Sequence, residues 1–231
     1  MEQHRAAPKA AFPHTVPVLT GYLVLGFAYG VLIAEKGYPV WAAALTSIFI
    51  FAGSMQFVAV GLLGMGFAPL GACLMTLMVN ARHLFYGISM LKKFEGTGKF
   101  RPYLIFGLTD ETFSILCDTD SPEGVDRARF MFWITLLDHS YWVLGTTLGA
   151  AFGSLVSFNT AGMDFVLTAL FVTILIGQWR GAKNHLPALV GLGASVLCRL
   201  LFGRDFIIPA MAAILLLVTL LKKPMERGES A

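Results

Sequence analysis

The chain has 231 residues and a formal net charge of +3, with 56% hydrophobic residues and only 13% charged residues. Soluble domains average about 25% charged residues, so this composition excludes an ordinary soluble protein and predicts one that lies in the lipid bilayer. The apolar blocks are continuous and do not alternate with a period of two residues, which favours helices over a β-barrel. The small positive charge does not by itself indicate a nucleic-acid partner.

Apolar segments follow one another along the chain, and we number them I to VIII. Segment I ends at the polar stretch 35–37. The 45 residues from Gly37 to Ala81 carry no formal charge. A crossing helix needs about 20 residues, so this stretch predicts two crossings with a break near 64–69. The segments cover residues 16–34, 40–63, 69–90, 102–117, 130–152, 164–179, 186–202 and 206–221.

We therefore predict an all-α fold, a polytopic integral membrane protein of about 7–8 transmembrane helices. Residues 1–231 form a single transmembrane domain in this interpretation. Eight crossings with the N-terminus inside place the basic residues 180–185 and 222–223 in the cytoplasm, as the positive-inside rule prefers. The same arrangement sends the basic loop 92–101 outside, which the rule disfavours. A seven-span arrangement, with one short segment re-entrant, stays open.

A shift of 85 residues lays segments I–II on segments IV–V, for example Pro17 on Pro102 and Gly64 on Gly149. This shift favours an inverted 3+3 repeat, although some matches arise by chance in so apolar a chain. Transporters built from inverted repeats hold their binding site between the two halves. The repeat units are residues 16–91 and 102–180, followed by a C-terminal helical hairpin at 186–222.

Ionisable groups inside predicted spans are candidates for a functional site, because they cost several kcal/mol in lipid unless paired or hydrated. On segment III, Asn80 and His83 share a helical face, and Arg82 points about 100° away. Arg82 either pairs with a buried acid or ends the span and reaches the headgroups. Segment IV carries the nearest acids, Asp110 and Glu111, which would both be in water if this segment were interfacial.

Segment V places Asp138 on one helical face with Trp142, Gly145 and Gly149, while His139 lies beside that face. A carboxylate followed by small residues favours close helix packing around a polar spot. His139 could titrate near neutral pH or serve as a hydrogen-bonded packing residue.

Segment II carries polar and small residues in mid-span. A discontinuous helix there would expose backbone groups to a zwitterionic substrate, since half-helix ends bind carboxylate and ammonium groups. Helix packing alone is the alternative, as it is for Gly26 and Gly30 in segment I. The candidate substrate-binding or coupling residues are Gly53, Ser54, Gln56, Asn80, Arg82, His83, Asp110, Glu111, Asp138 and His139.

The sequence contains neither a paired-histidine metal motif nor a phosphate-binding loop. We therefore predict no metal, no cofactor and no enzymatic activity, and we expect a secondary transporter because an ATP-driven pump needs a nucleotide-binding domain. A permease or channel for another small polar solute is one alternative. A membrane-embedded enzyme subunit is a weaker one, since it would need a nucleophile or metal beside the acids and histidines.

Five stretches resemble the AzlC family of branched-chain amino acid permeases: FAGSMQF, MVNARHLFYG, LTDETF, LDHSYWVLGTTLGAAFG and GMDFVLTALF. The resemblance spans about residues 12–180. It implies a multi-pass subunit of the cell inner (cytoplasmic) membrane that exports leucine, isoleucine and valine, with methionine as a further candidate. It also implies a small AzlD-type membrane subunit as partner. The buried ionisable groups suggest coupling to protons.

Overall fold

The computed structural model describes residues 2–63, 69–155, 184–203 and 206–220, with isolated positions between 165 and 180. Every regular element in these residues is helical. The chain divides into two compact units, residues 1–167 and 168–231. The first unit holds α1 (Glu2–Glu35), α2 (Val40–Phe49), α3 (Gly53–Leu63), α4 (Pro69–Met90), α5 (Arg101–Phe106), α6 (Asp110–Asp118) and α7 (Arg127–Leu155).

The second unit holds α8 (Leu186–Phe202) and α9 (Ile207–Leu220), which pack against each other. These two helices correspond to segments VII and VIII. Segment VI lies outside the described residues apart from isolated positions, and so do the residues 204–205 of the expected turn. Among the described residues, one helix, within Ala6–Glu35, is both long and apolar enough to cross a membrane.

The two longest helices, α1 and α7, run parallel through the first unit. Near their N-terminal ends, the His14 ring packs edge-on against Phe130 at 5.7 Å between centroids. Near their C-terminal ends, Val31 lies beside Gly153, where a Cβ would be 3.0 Å from the Val31 Cα. The N-terminal ends of α1 and α7 therefore lie together at one end of this unit, and their C-terminal ends lie together at the other.

Glycines let the backbones of α1 and α7 touch. A Cβ on Gly30 would lie 2.1 Å from the carbonyl oxygen of Thr146, and one on Gly149 would lie 2.1 Å from that of Phe27. Gly26 faces the same surface, with backbone atoms of α7 at 3.1–3.3 Å from its Cβ position. The packing role predicted for the small residues of segments I and V is therefore confirmed.

Segment II is two helices that form a hairpin. Between them, Phe51 has a φ of 42°, a strained value for an aromatic residue. Tyr29 of α1 contacts both arms, since its hydroxyl lies 2.9 Å from Thr46 Oγ1 of α2 and its ring centroid 5.6 Å from that of Phe57 in α3. The chain therefore enters from the C-terminal end of α1, turns, and runs back.

Segment IV is also a hairpin, broken at residues 107–109. Leu104 of α5 and Leu116 of α6 are both fully buried in one cluster with the first turns of α7. Lys93, in the loop before α5, donates to the carbonyl of Cys117 at the end of α6 at 3.2 Å. Both ends of this hairpin therefore lie beside the N-terminal end of α7.

The two hairpins enter from opposite ends of the α1–α7 pair, and their tips, residues 50–52 and 107–109, meet inside the unit. A Cβ on Gly107 would lie 3.7 Å from Phe51 Cε1. The α2, α3, α5 and α6 arms have 10, 11, 6 and 9 residues. At about 1.5 Å per residue, no arm can cross a hydrocarbon core of about 30 Å. Segments II and IV, expected as simple spans, are thus hairpins of short arms.

Candidate functional site where the two hairpin tips meet

Arg82 of α4 connects the starts of two helices. Its Nη2 atom donates to Ser54 Oγ, the second residue of α3, at 2.9 Å and pairs with Asp110 Oδ2, the first residue of α6, also at 2.9 Å. The Arg82 and Asp110 side chains are 24% and 26% exposed. The predicted pairing of Arg82 with an acid of segment IV is present, and Asp110 is the acid.

This arrangement has the chemistry of a carboxylate site. Helix N-termini carry partial positive charge and unpaired N–H groups, and a guanidinium group matches the geometry of a carboxylate. Here the starts of α3 and α6 adjoin one guanidinium, and Asp110 is the carboxylate it holds. A free carboxylate of comparable size could take its place without leaving Arg82 unpaired.

A chain of hydroxyl groups joins Glu111 to Asp138. The Tyr22 hydroxyl of α1 lies 2.7 Å from Glu111 Oε2 and 2.8 Å from Thr109 Oγ1. Thr109 donates to Thr112 at 3.1 Å, and Thr112 donates to Asp138 Oδ2 at 2.9 Å. Asp138 is fully buried. Three helices therefore meet through side-chain oxygens.

The Gln56 amide ties the first hairpin to α7. Its Oε1 accepts from Trp142 Nε1 at 2.8 Å, and its Nε2 donates to Ser47 Oγ at 3.1 Å. Ser47 in turn donates to Thr146 Oγ1 at 2.8 Å. All of these side chains lie in the interior, and Gly53 leaves room for the Trp142 ring, which approaches its Cβ position to 3.1 Å.

His139 holds the two hairpins together. Its Nε2 lies 3.2 Å from the Ser47 carbonyl of α2, and its Nδ1 lies 2.8 Å from the Tyr103 hydroxyl of α5. A carbonyl only accepts, so Nε2 carries the hydrogen and Nδ1 accepts from Tyr103. The ring also stacks on Phe51 at 4.2 Å. Of the two roles left open for His139, this geometry is that of a hydrogen-bonded packing residue.

Asn80 and His83 are placed differently from the acids. His83 Nδ1 lies 3.3 Å from the Asn80 carbonyl in its own helix, and its ring packs edge-on against Tyr86. The Asn80 Oδ1 atom is buried without a hydrogen-bond partner in the described part of the chain. The helical face predicted for these two residues is half-buried and adjoins Arg82, but it does not share the hydrogen bonds of the acids.

Sequence reasoning missed several residues of this site. Thr109 caps α6 by accepting from the Thr112 amide, and a threonine directly before two acids is a recognisable start signal for a helix. Tyr22 gave no signal, because its partners lie 87 and 89 residues away in sequence. Tyr103 and Ser47 were missed for the same reason.

Several proteins with similar sequences are named as membrane proteins. A family model described as AzlC protein matches residues 17–156. Branched-chain amino acid transport protein AzlC of Bacillus subtilis is 54% identical, over 97% of this chain and 89% of that protein. An uncharacterized membrane protein of Helicobacter pylori is 40% identical, over 98% of this chain and all of that protein.

A more distant relative is the inner membrane protein YgaZ of Escherichia coli, 30% identical over 79% of this chain and 78% of its own length. No solved structure gives a significant match. Both the family model and the first of these relatives cover the two hairpins, α4 and α7, which together supply the polar site. The chain therefore belongs to the AzlC family of membrane proteins.

Proposed function

We propose that this chain is the large subunit of a secondary transporter that exports branched-chain amino acids across the inner membrane, driven by protons. The observation that carries the proposal is Arg82, held between Ser54 and Asp110 at the starts of two helices from opposed hairpins. The substrate class rests on the Bacillus subtilis relative, whose name is that of a branched-chain amino acid transport protein. The outward direction rests on the family resemblance alone.

Charged side chains near the hairpin tips can bind the carboxylate and the ammonium group of the substrate. Its carboxylate replaces Asp110 on Arg82 and faces the starts of α3 and α6, and the released Asp110 receives the ammonium group. Aromatic side chains at the tips, Phe51 and Phe106 with ring centroids 6.4 Å apart, provide apolar surface for the aliphatic side chain. Burying each methylene group is worth about 0.8 kcal/mol, which favours leucine over alanine.

An inverted repeat explains how such a site is reached from two sides. The hairpin α2–α3 followed by α4 corresponds to the hairpin α5–α6 followed by α7, at a shift of 56 residues that lays Phe57 on Phe113. The two hairpins enter from opposite ends, as inverted repeats require. The shift of 85 residues pairs the broken segment II with the continuous segment V, so the helices favour the shorter shift.

In this proposal α1, α4 and α7 cross the membrane and the two hairpins are re-entrant. Residues 1–231 then form one transmembrane domain with two re-entrant segments, whereas the sequence left open eight crossings or seven with one re-entrant segment. The basic loop 92–101 lies at the same end as the start of α7, through the contact of Lys93 with the end of α6. This end faces the cytoplasm by the positive-inside rule.

A small AzlD-type subunit is the proposed partner. Small-residue faces suit close contact with a partner helix, but Gly145 and Gly149 are already engaged by α1. Among the described residues, no atom lies within 4 Å of the Cβ position of Gly191 in α8, and with Ser195 this glycine offers a face for close helix packing. We expect co-purification in mild detergent, and full export by this chain alone would count against the partner.

Flux measurements test the function. We expect proteoliposomes with this chain and its partner to transport radiolabelled leucine, isoleucine and valine, whereas Arg82→Ala proteoliposomes do not. Transport of a different small polar solute, with these amino acids ignored, would favour the alternative permease. Chemical conversion of a solute, in place of its movement, would favour the enzyme.

Gradient manipulation tests the coupling separately. No nucleotide-binding motif is present in the sequence, so an ion gradient is the proposed energy source. We expect uphill efflux to stop when the pH gradient and membrane potential are dissipated together. Uphill efflux that continues under these conditions would show that proton coupling is wrong.

A further inference from the structure

The hydroxyl chain between Glu111 and Asp138 contains four oxygen–oxygen contacts in series. They run from Glu111 to Tyr22, then to Thr109, Thr112 and Asp138, at 2.7, 2.8, 3.1 and 2.9 Å. Every distance lies within the range of an O–H···O hydrogen bond or slightly above it. Each contact therefore requires one hydrogen between its two oxygens.

The hydroxyl groups alone cannot supply these hydrogens. Tyr22, Thr109 and Thr112 carry one hydroxyl hydrogen each, which makes three for four contacts. The Thr112 amide also donates to Thr109 Oγ1 at 3.3 Å, so this oxygen has one acceptor place left. With both acids ionised, one of the four contacts would have no hydrogen between its oxygens, and lone pairs of the two oxygens would face each other in the interior. The missing hydrogen must come from one of the acids.

We propose that Glu111 and Asp138 share a single proton, which moves between them through the hydroxyls of Tyr22, Thr109 and Thr112. The proposal deepens the proposed function, and rests on it only in assigning this proton to coupling. It separates two tasks within one polar site. Arg82 and Asp110 handle the substrate's charges, and the Glu111–Asp138 pair carries the proton.

The hydrogen-bond directions assign the proton to Glu111 in this structure. Thr109 donates to Thr112 and Thr112 donates to Asp138 Oδ2, so Tyr22 donates to Thr109 and Glu111 donates to Tyr22. The surroundings favour the opposite position of the proton. Asp138 is fully buried and its Oδ1 has no hydrogen-bond partner among the described residues, which is costlier for a carboxylate than for a neutral acid, whereas Glu111 lies in the first turn of α6, where the helix N-terminus favours negative charge.

The transfer balances atom by atom. The O–H bond of Glu111 breaks as its proton passes to Tyr22, and each hydroxyl releases its own hydrogen to the next oxygen along the chain. The last transfer, from Thr112, forms the O–H bond of Asp138. One negative charge moves from Asp138 to Glu111, each hydroxyl ends with one hydrogen, and no oxidant or co-reactant is required.

The charged and titratable groups acting on the pair come from three helices. They are Tyr22 of α1, Arg82 and Tyr86 of α4, and Asp110 of α6, which precedes Glu111. On α7, His139 bonds to Tyr103 and Ser47 instead. Displacing Asp110 from Arg82 changes the charge beside Glu111, so substrate binding and proton position are electrostatically linked.

Infrared difference spectroscopy on the full chain in lipid nanodiscs tests the shared proton directly. Near neutral pH we expect one carbonyl band of a buried protonated carboxylic acid, shifted in D2O. In Glu111→Gln or Asp138→Asn the new amide supplies the fourth hydrogen, so the remaining acid ionises and the band disappears. Glu123→Gln, at an exposed acid, keeps the band. A wild-type chain without the band, or a band that survives both amide substitutions, overturns the proposal.

Transport assays on the same variants test the coupling role. In both amide variants we expect the ratio of leucine accumulation driven by a pH gradient to leucine exchange at equal pH to fall at least tenfold, while Glu123→Gln keeps the wild-type ratio. A ratio that stays at the wild-type value in both amide variants, because exchange and accumulation fall together or not at all, would overturn the coupling assignment. A wild-type chain that moves no amino acid would sink the proposed function, and the infrared band would still decide whether the acids share a proton.

Discussion

Adjacent acids in segment IV have separate partners. Neighbouring residues on a helix point about 100° apart, so Asp110 reaches Arg82 and Glu111 reaches Tyr22. The sequence predicted that both acids could not face one partner, and it predicted the Arg82 pairing, because the nearest acids in the chain lay on the next segment. It could not predict Tyr22, whose position on a featureless apolar helix gains meaning only through the fold.

Substitutions of Arg82 and Asp110 test the value of their pair. We expect Arg82→Ala and Asp110→Asn each to lower thermal stability, with a coupling energy of about 1–3 kcal/mol in a double-mutant cycle. Both side chains are about a quarter exposed, so the pair should fall between surface pairs, at about 0–1 kcal/mol, and buried pairs, at about 3–5 kcal/mol when broken.

A pair elsewhere in the chain is the control for this measurement. Lys93 and Asp120 lie 3.2 Å apart, but the Asp120 side chain is 91% exposed. We expect Asp120→Asn to leave the unfolding temperature unchanged. If Asp110→Asn is equally harmless, Arg82 is a residue that reaches the headgroups and not part of a buried pair.

At the scale of elements, the contact between α1 and α7 depends on the absence of side chains. We expect Gly30→Ala to destabilise the protein by about 2–3 kcal/mol, the upper part of the range for overpacking, because the new Cβ would lie 2.1 Å from the Thr146 oxygen. Thermal unfolding in detergent measures the effect. Gly21→Ala is the matched control in the same helix, since no atom of the described part of the chain lies within 4 Å of its Cβ position.

At the tip of the second hairpin, a destabilising substitution can be compensated by a second substitution at the residue it contacts. A Cβ on Gly107 would lie 2.3 Å from Thr135 Cγ2, and the next neighbour is 3.4 Å away. We expect Gly107→Ala to cost about 1–3 kcal/mol and Thr135→Ser, which removes Cγ2, to restore most of that loss. Without rescue in the double variant, the clash at this tip is not what limits the substitution.

The sequence predicted the position of the polar break in segment II, but it did not predict that the two arms around the break form a hairpin. Gly53, Ser54 and Gln56 indicated a discontinuous helix in segment II, and α3 begins at Gly53. Yet a hairpin of two apolar arms and one crossing helix have the same apolar composition. Hydropathy therefore could not distinguish a turn back from a crossing, and it left both an eight-span arrangement and a seven-span arrangement with one re-entrant segment open.

For the whole molecule, the hairpins change which loops share a side of the membrane. We expect cysteines introduced at Glu95 and Glu123 to be labelled from the cytoplasmic side and one at Lys36 from the outside, in a chain lacking its native cysteines. Membrane-impermeant maleimides on intact cells and inverted vesicles measure this. Eight simple crossings would put Glu95 and Glu123 on opposite sides, so opposite labelling of these two positions contradicts the hairpins.

Because α1 packs against α7, it is synthesised well before most of the residues that it contacts in the folded protein. Thr15 of α1 bonds to Tyr141, which follows it by 126 residues, and Tyr22 contacts Glu111, which follows it by 89 residues. At about 5–20 residues per second, these partners leave the ribosome on the order of 5–25 s after α1. During that interval the glycine face and hydroxyl groups of α1 lie against lipid or the insertion machinery. The first helix to be made is thus among the last to find its final neighbours.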